Sequence, residues 1–98
     1  MLSPVYQVNV PTRDSSGRSG LHVFTGNADN HAAAVRIARD VYESAAAAQR
    51  AGLPIPDRRP DGWAARAVRP GWHLEWAAAT VGLWSEPHTF TRVDGPES

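Results

Sequence analysis

Residues 27–54 of the chain, NADNHAAAVRIARDVYESAAAAQRAGLP, decide the fold because they predict one long amphipathic helix. Asn27 and Asp29 are both residue types that cap the N-terminus of a helix. On a helical wheel the apolar side chains fall within one arc of about 160°, and charged side chains fill the other side. Gly52 stands where a left-handed C-terminal residue is expected, and a hydrophobic residue and a proline follow it. We therefore predict a helix over residues 28–51.

Alanine makes up half of the predicted inner face of this helix. Its members are Ala34, Val35, Ile37, Ala38, Val41, Tyr42, Ala45 and Ala48. A face of small side chains lets a helix approach a sheet closely, but it contributes little apolar area of its own. We expect large side chains from elsewhere in the chain to fill the space opposite.

Two short segments ahead of the helix predict a β-hairpin. Val5–Val10 alternates apolar and polar residues, as a half-buried strand does. Residues 13–20 are small and polar and predict a mobile hairpin loop. Leu21–Thr25 is then expected to form the second strand.

After the helix, the chain predicts a loop and a second hairpin. Residues 53–62 contain three prolines and form a stiff loop rather than a flexible domain linker. Trp63–Val68 alternates, a Pro-Gly pair follows, and alternation resumes at Trp72. This pattern predicts two strands paired across the Pro-Gly turn, although that dipeptide favours a type II turn, which suits hairpin twist less well.

The register of the second hairpin places large residues opposite small ones on one face. The large side chains expected to meet the alanine face of the helix are Trp63, Trp72, Leu74 and Trp76. On the other face, Arg66 is expected opposite Glu75 as a cross-strand ion pair. Residues 74–81 are alternatively a short helix, because an alanine-rich run permits either structure.

The chain closes with a predicted strand at His88–Val93 and a frayed tail at residues 94–98. The element order is then ββαββ(β). We predict a single small α+β domain over residues 1–98, with one antiparallel sheet of four to five strands and the helix packed on one face.

Composition excludes several classes of protein. The 98 residues include no cysteine, so a disulfide scaffold, a thiol enzyme, a cysteine-ligated zinc site and an iron–sulfur protein are excluded. Ten arginines and no lysine balance ten acidic residues, and zero net charge argues against a strongly basic nucleic-acid binder. No signal peptide or membrane-spanning run is evident, so we expect a cytoplasmic protein. Abundant Ala, Arg, Gly and Pro, all with G+C-rich codons, predict a high-GC bacterium as the source.

The motifs of enzyme and metal chemistry are weak. No Gly-x-Ser-x-Gly motif is present, and we expect neither catalysis nor a cofactor. His73 and Glu75 share a strand face and resemble half of a metal site, but a pair without a third ligand is a weak signal. We expect no metal, with His73 solvated. If the protein is instead a small-ligand binder or an enzyme, Tyr6 and His22 would line the pocket together with that pair.

The sequence is compatible with two main hypotheses of function. The first is a non-enzymatic interaction module that binds a protein partner, or a second copy of itself, through the loop Pro54–Asp61 and the neighbouring strand edge. The alternative is nucleic-acid binding by an Arg/Trp surface. The candidate binding residues are Arg58, Arg59, Arg66, Arg69 and Trp84. We expect Trp84 to be the most exposed tryptophan, because it follows Gly82 outside the regular alternation.

Overall fold

A computed structural model describes residues 4–65, 68–84 and 91–92 of the chain. The elements are β1 (Val5–Asp14), β2 (Ser19–Asn27), α1 (His31–Arg50), β3 (Trp72–Leu74), β4 (Thr80–Leu83) and β5 (Thr91–Arg92). One antiparallel sheet has the strand order β2-β1-β4-β5, and β3 pairs with the far end of β1 beyond β4. Helix α1 packs on one face of the sheet, so the predicted α+β architecture is confirmed.

Strand β1 is the centre of the sheet. The even-numbered side chains in the first eight residues of this strand face the helix and are buried. These are Tyr6, Val8, Val10 and Thr12. It pairs with β2 along nearly its whole length, from Val5 opposite Asn27 to Arg13 opposite Ser19. The alternation predicted at Val5–Val10 is therefore confirmed, but the strand continues four residues further than predicted.

The turn between β1 and β2 is shorter than the predicted loop 13–20. The carboxylate of Asp14 accepts hydrogen bonds from the backbone N–H groups of Ser16 and Arg18 at 3.0 and 2.8 Å. Burial by itself would raise the pKa of Asp14, but the hydrogen bonds from Ser16 and Arg18 outweigh it and lower that pKa. An ionised carboxylate thus holds the turn, and strand pairing extends into most of the stretch that composition assigned to a loop.

Helix α1 begins later than predicted. Its N-cap is Asn30, whose side-chain Oδ1 accepts a hydrogen bond from the backbone N–H of Ala33 at 2.8 Å. Asn27 is still part of β2, and the N–H of Ala28 donates to the carbonyl of Pro4. The predicted caps Asn27 and Asp29 are therefore wrong, because strand pairing holds Asn27 and Ala28 beside β1 and the capping hydrogen bond is made by Asn30.

The C-terminal stop of α1 is as predicted. Gly52 has a φ of 74°, in the left-handed region that favours glycine. The N–H of Gly52 donates to the carbonyl of Gln49, and the N–H of Leu53 donates to that of Ala48. Leu53 and the proline-rich loop then lead away without regular structure.

We expect Asn30→Ala to lower the free energy of unfolding by about 1 kcal/mol, because the N–H of Ala33 loses its acceptor. Urea unfolding followed by circular dichroism measures this loss. Asn30→Asp is the matched control, since a carboxylate accepts the same bond and suits the positive end of the helix. Equal stability of the Ala and Asp variants would show that the cap contributes nothing.

The predicted second hairpin is wrong. Trp72 and Leu74 lie opposite Asp14 and Thr12 of β1, and the described residues of Trp63–Val68 form no strand. The register that placed large residues opposite small ones is therefore lost. The predicted ion pair between Arg66 and Glu75 loses its basis too, and Arg66 lies outside the described residues.

Residues 74–81 form neither the continuous strand nor the short helix considered above. The chain leaves the sheet after β3, makes one 3₁₀ turn at Trp76–Ala78, and rejoins β1 as β4. The break lies beside Pro11 of β1, whose carbonyl accepts a hydrogen bond from the N–H of Glu75 at 2.8 Å. In a strand, the N–H and C=O of one residue point to the same side, so this proline offers no donor where the chain turns away. A proline in a central strand is thus tolerated because its neighbour is interrupted.

The end of the chain is described only at β5, where Thr91 and Arg92 pair with Val81 and Thr80. This pairing agrees with the predicted strand His88–Val93 at those two positions. The other residues of that strand and the predicted frayed tail at 94–98 lie outside the described residues.

The core lies between α1 and the sheet and depends on Trp63. This side chain is fully buried, and its indole N–H donates to the carbonyl of Asn27 at 2.7 Å. Gly26 leaves room for the ring, since a Cβ at that position would lie 2.5 Å from it. Trp76 is partly buried against Phe24, with ring centroids 5.7 Å apart. Large side chains therefore do fill the space opposite the alanine face, but from a loop and a turn rather than from a hairpin.

Candidate partner-binding edge on strand β2

Strand β2 lies at one end of the strand order, with β1 on its inner side. In an antiparallel pair, successive residues of a strand direct their backbone groups alternately toward and away from the neighbouring strand. The N–H of Asn27 donates outward to the carbonyl of Asp61 at 2.8 Å, away from β1. Alternation from Asn27 therefore points the N–H and C=O groups of Leu21, Val23 and Thr25 outward as well.

The loop after α1 pairs with one end of this edge and then leaves it. Asn27 is bonded through both backbone groups, because its N–H donates to Asp61 and its C=O accepts from the indole of Trp63. Gly62, with a φ of 93°, turns the chain close against β2, and Trp63 then enters the core. Within the described part of the chain, no backbone group is bonded to the outward side of Leu21, Val23 or Thr25. Among the described residues, the edge is therefore paired at Asn27 and unpaired from Thr25 to Leu21.

A groove of about 400 Å³ follows this open edge. It is lined by Leu21, His22, Val23, Phe24, Thr25, Arg58, Gly62 and Ala64. One wall is thus the edge of β2, and the other is the end of the proline-rich loop. The three outward-facing residues span about 14 Å at the usual rise of a strand, which matches five residues of an added strand.

The sequence of β2 contains none of the usual devices that protect a sheet edge. Natural edge strands carry charged residues, prolines or bulges that prevent a further strand from pairing. Ser19–Asn27 contains no acidic residue, no arginine, no lysine and no proline, and it pairs with β1 without a bulge. On the face away from the helix, Leu21 and Val23 are 58% and 48% exposed. This edge is therefore both geometrically open and chemically unprotected.

Two arginines border the same stretch of β2. Arg58 lines the groove, and Arg69 lines a smaller cavity that shares Leu21 and His22 with it. The guanidinium of Arg69 lies 4.5 Å from the ring centre of Trp72, which orients it by a cation–π contact. Neither arginine belongs to an ion pair among the described residues. Positive charge thus flanks an uncharged edge.

His22 is a half-buried aromatic residue in the wall of the groove. Its ring stacks on Phe24 with centroids 4.5 Å apart and meets Tyr42 edge-on at 5.5 Å. Burial lowers the pKa of His22 below the ordinary histidine value of 6.5, because a charged imidazolium is poorly solvated there. The same physical cause raises the pKa of Tyr42.

We expect the free energy of unfolding to fall as the pH drops below about 6.5, because the unfolded chain then binds a proton at His22 more readily than the folded chain does. The contribution of neutral His22 to the free energy of unfolding is fully present above that pH. It is lost as the pH falls through the lowered pKa of His22 in the folded protein. Urea titrations between pH 7.5 and 5 measure the slope. His22→Phe is expected to reduce it, whereas His73→Gln, at an exposed position, keeps it. An unchanged slope in His22→Phe contradicts the assignment.

The structure separates the other candidate binding residues. Arg59 is bonded to Asp61 at 2.9 Å and lines a different cavity, between the proline-rich loop and α1. Trp84 is 60% exposed, as expected from its position, and its N–H donates to the carbonyl of Val5. Of the four candidate arginines, Arg58 and Arg69 border β2, Arg59 lies in the other cavity, and Arg66 is outside the described residues.

The weak metal and ligand candidates do not all lie together, although His73 and Glu75 both lie beside Arg13. His73 lies opposite Arg13, on the sheet face away from the helix, and is exposed. Glu75 lies 4.0 Å from Arg13. Tyr6 is buried on the helix side, where it meets His31. In the described ranges, no group of three or more His, Cys, Asp or Glu side chains is placed to hold a metal ion.

The sequence alone does not identify the outward-facing residues of β2. Leu21 and Val23 look like ordinary strand residues, and only the pairing shows that one side of their backbone is open. The signal that was available is the lack of charge and proline across 19–27. It becomes informative only when β2 is known to be an edge strand.

Fold and site together define a small α+β domain with an open sheet edge set in a groove. Comparisons of the chain with protein-family models, with curated proteins and with solved structures return no match. No helix in the described residues is both long and apolar enough to cross a membrane.

Proposed function

We propose that this protein is a non-enzymatic interaction module that binds an extended segment of a protein partner along the open edge of β2. The observation that carries the proposal is the row of outward N–H and C=O groups at Leu21, Val23 and Thr25, beside a groove of about 400 Å³. A peptide that adds a strand gains main-chain hydrogen bonds from such an edge and specificity from the pockets beside it. The bond between Asn27 and Asp61 supports this geometry, because it is the first step of such a pairing made by the chain itself.

Side chains around the edge support a protein ligand. Leu21 and Val23 present apolar surface on one side of the added strand, and Phe24 and Ala64 line the groove. Binding to exposed apolar side chains adds to the energy of the main-chain hydrogen bonds. A second copy of the chain, paired β2 to β2, is the competing occupant of the edge.

The nucleic-acid alternative has less support. It needs arginines and aromatic rings on one surface, so that bases stack while guanidinium groups contact phosphates. Arg59 is engaged by Asp61, and Trp76 is partly buried in the core. Trp72 already lies against the guanidinium of Arg69. Of the tryptophans, which all lie in the described residues, only Trp84 is exposed, and one ring does not form a row for stacking.

Selection from a displayed library of random ten-residue peptides tests the proposal. We expect the selected peptides to bind in an extended conformation, so that methylation of their amides has an alternating effect. Methylating an amide nitrogen that faces β2 is expected to weaken binding at least about tenfold, and methylating the next one to leave it nearly unchanged.

Each result of this experiment has a definite meaning. Binding that is insensitive to the position of the methyl group excludes strand addition. Failure of the library to yield any peptide that binds overturns the proposal. A concentration-dependent dimer in sedimentation that is broken by a charge at Val23, without peptide binding, assigns the edge to a second copy instead.

A further inference from the structure

Two positively charged side chains border the groove, and they indicate which chemistry a bound segment would need. Arg58 borders the groove near its loop wall, and Arg69 borders the cavity that continues from Leu21 and His22. Both side chains are exposed, and neither is in an ion pair within the described residues. An extended ligand on β2 therefore passes two arginines.

Among the described residues, no carboxylate lines the groove beside these arginines. The residues that line the groove include no Asp or Glu, and the same is true of the smaller cavity. Asp61 is paired with Arg59 and Asp14 with Arg18, and Asp57, which precedes Arg58 in the chain, lines the other cavity. The two guanidinium groups thus border the edge with no carboxylate among the residues that line either cavity.

Arg69 is held in place before any ligand arrives. Its guanidinium lies 4.5 Å from the ring centre of Trp72, and that of Arg18 lies 5.8 Å from the same ring. A guanidinium stacked on an indole keeps its N–H donors free at the edges of its plane. Those donors match the two oxygens of a carboxylate, and a fixed side chain loses less entropy on binding it.

We propose that the segment recognised by β2 is acidic, with Asp or Glu side chains placed to meet Arg58 and Arg69. This inference rests on the proposed strand addition and adds the chemistry of the partner. The matched charges select among extended segments, which the main-chain hydrogen bonds alone do not distinguish. The paired strand of a second copy does not itself supply these charges, because Ser19–Asn27 contains no carboxylate.

Matched peptides and matched variants test the inference. We expect peptides selected from the random library to be enriched in Asp and Glu, and replacement of those residues by Gln or Asn to weaken binding about tenfold. Arg58→Gln and Arg69→Gln are each expected to produce a similar loss with the acidic peptide and almost none with the amide peptide. Arg36→Gln, on the exposed side of α1, is the control and leaves both affinities unchanged.

The outcomes separate this inference from the proposed function. Peptides whose binding depends on amide methylation, but not on their carboxylates, overturn the acidic preference and keep strand addition. Binding of carboxylate peptides that is insensitive to amide methylation overturns strand addition, and with it this inference. Failure to select any peptide overturns both. Binding of mixed-sequence single-stranded oligonucleotides that weakens in Arg58→Gln and Arg69→Gln, without peptide binding, assigns the arginines to phosphate.

Discussion

Trp63→Ala is expected to lower the free energy of unfolding by about 3–5 kcal/mol, the usual range for removing a buried aromatic side chain. The ring is fully buried between the sheet and α1, so its loss leaves a cavity that the surroundings fill only partly. The carbonyl of Asn27 also loses its indole donor. The total free energy of unfolding of a protein of this size is about 5–15 kcal/mol, so the variant is expected to be partly unfolded at 37 °C.

Urea unfolding followed by circular dichroism measures the effect of Trp63→Ala. Trp84→Ala is the matched control, because the same side chain is removed from an exposed position and the expected change is within about 0.5 kcal/mol. Trp63→Phe retains an aromatic ring without the N–H donor and is expected to fall between the two. A loss below about 1 kcal/mol in Trp63→Ala would contradict the burial of this ring.

Val23→Pro is expected to weaken peptide binding roughly 30-fold while the fold is retained. The N–H of Val23 points outward and is bonded to nothing in the described part of the chain, so its removal does not affect the pairing with β1. An edge strand tolerates proline at such a position. The bound peptide loses the hydrogen bond from the N–H of Val23, and one of its own carbonyls is left without a donor. Together these losses weaken the binding free energy by about 2 kcal/mol.

The neighbouring residue provides the matched control for this variant. His22 directs its backbone groups toward Val10 of β1, so His22→Pro is expected to break the sheet and destabilise the protein. Val23→Lys is a milder second test, because a lysine on an edge strand disfavours further pairing without altering the backbone. Titrations with a selected peptide measure the affinities. Full affinity in both Val23 variants would show that the peptide binds elsewhere.

The sequence was sufficient for the helix stop and for the existence of the first hairpin, but not for the length of its strands. Gly52 and the residues after it are local signals whose structure depends on few distant contacts. The alternation of β1 was equally clear, since one face of that strand is buried throughout. The start of the helix was less certain, because Asn27, Asp29 and Asn30 are all capping residues and only the pairing of β2 decides among them.

The second half of the chain was not predictable in the same way. Trp63 looks like the first residue of an alternating strand, but its ring is held by Gly26 and Asn27 from the other side of the sequence. The interruption after Glu75 reflects the missing donor of Pro11, which lies more than sixty residues earlier. Both are long-range effects, and local periodicity carries no information about them.

The candidate binding site stays a prediction, and the sequence alone specified little of it. The sequence indicated the loop Pro54–Asp61 and a neighbouring strand edge as an interaction surface. It did not identify the strand, because strand order was needed to show that Leu21 and Val23 have an open side. The structure adds the direction of each backbone group, which makes the proposal testable residue by residue.

Amide hydrogen exchange along β2, measured by NMR with and without a selected peptide, tests the central claim most directly. In the free protein we expect the amides of Leu21, Val23 and Thr25 to exchange much faster than those of His22 and Phe24, which face β1. Bound peptide is expected to slow the exchange of the Leu21, Val23 and Thr25 amides at least about tenfold. Uniform protection across these five amides in the free protein, or protection by peptide only at other strands, would contradict the assignment of this edge as the binding site.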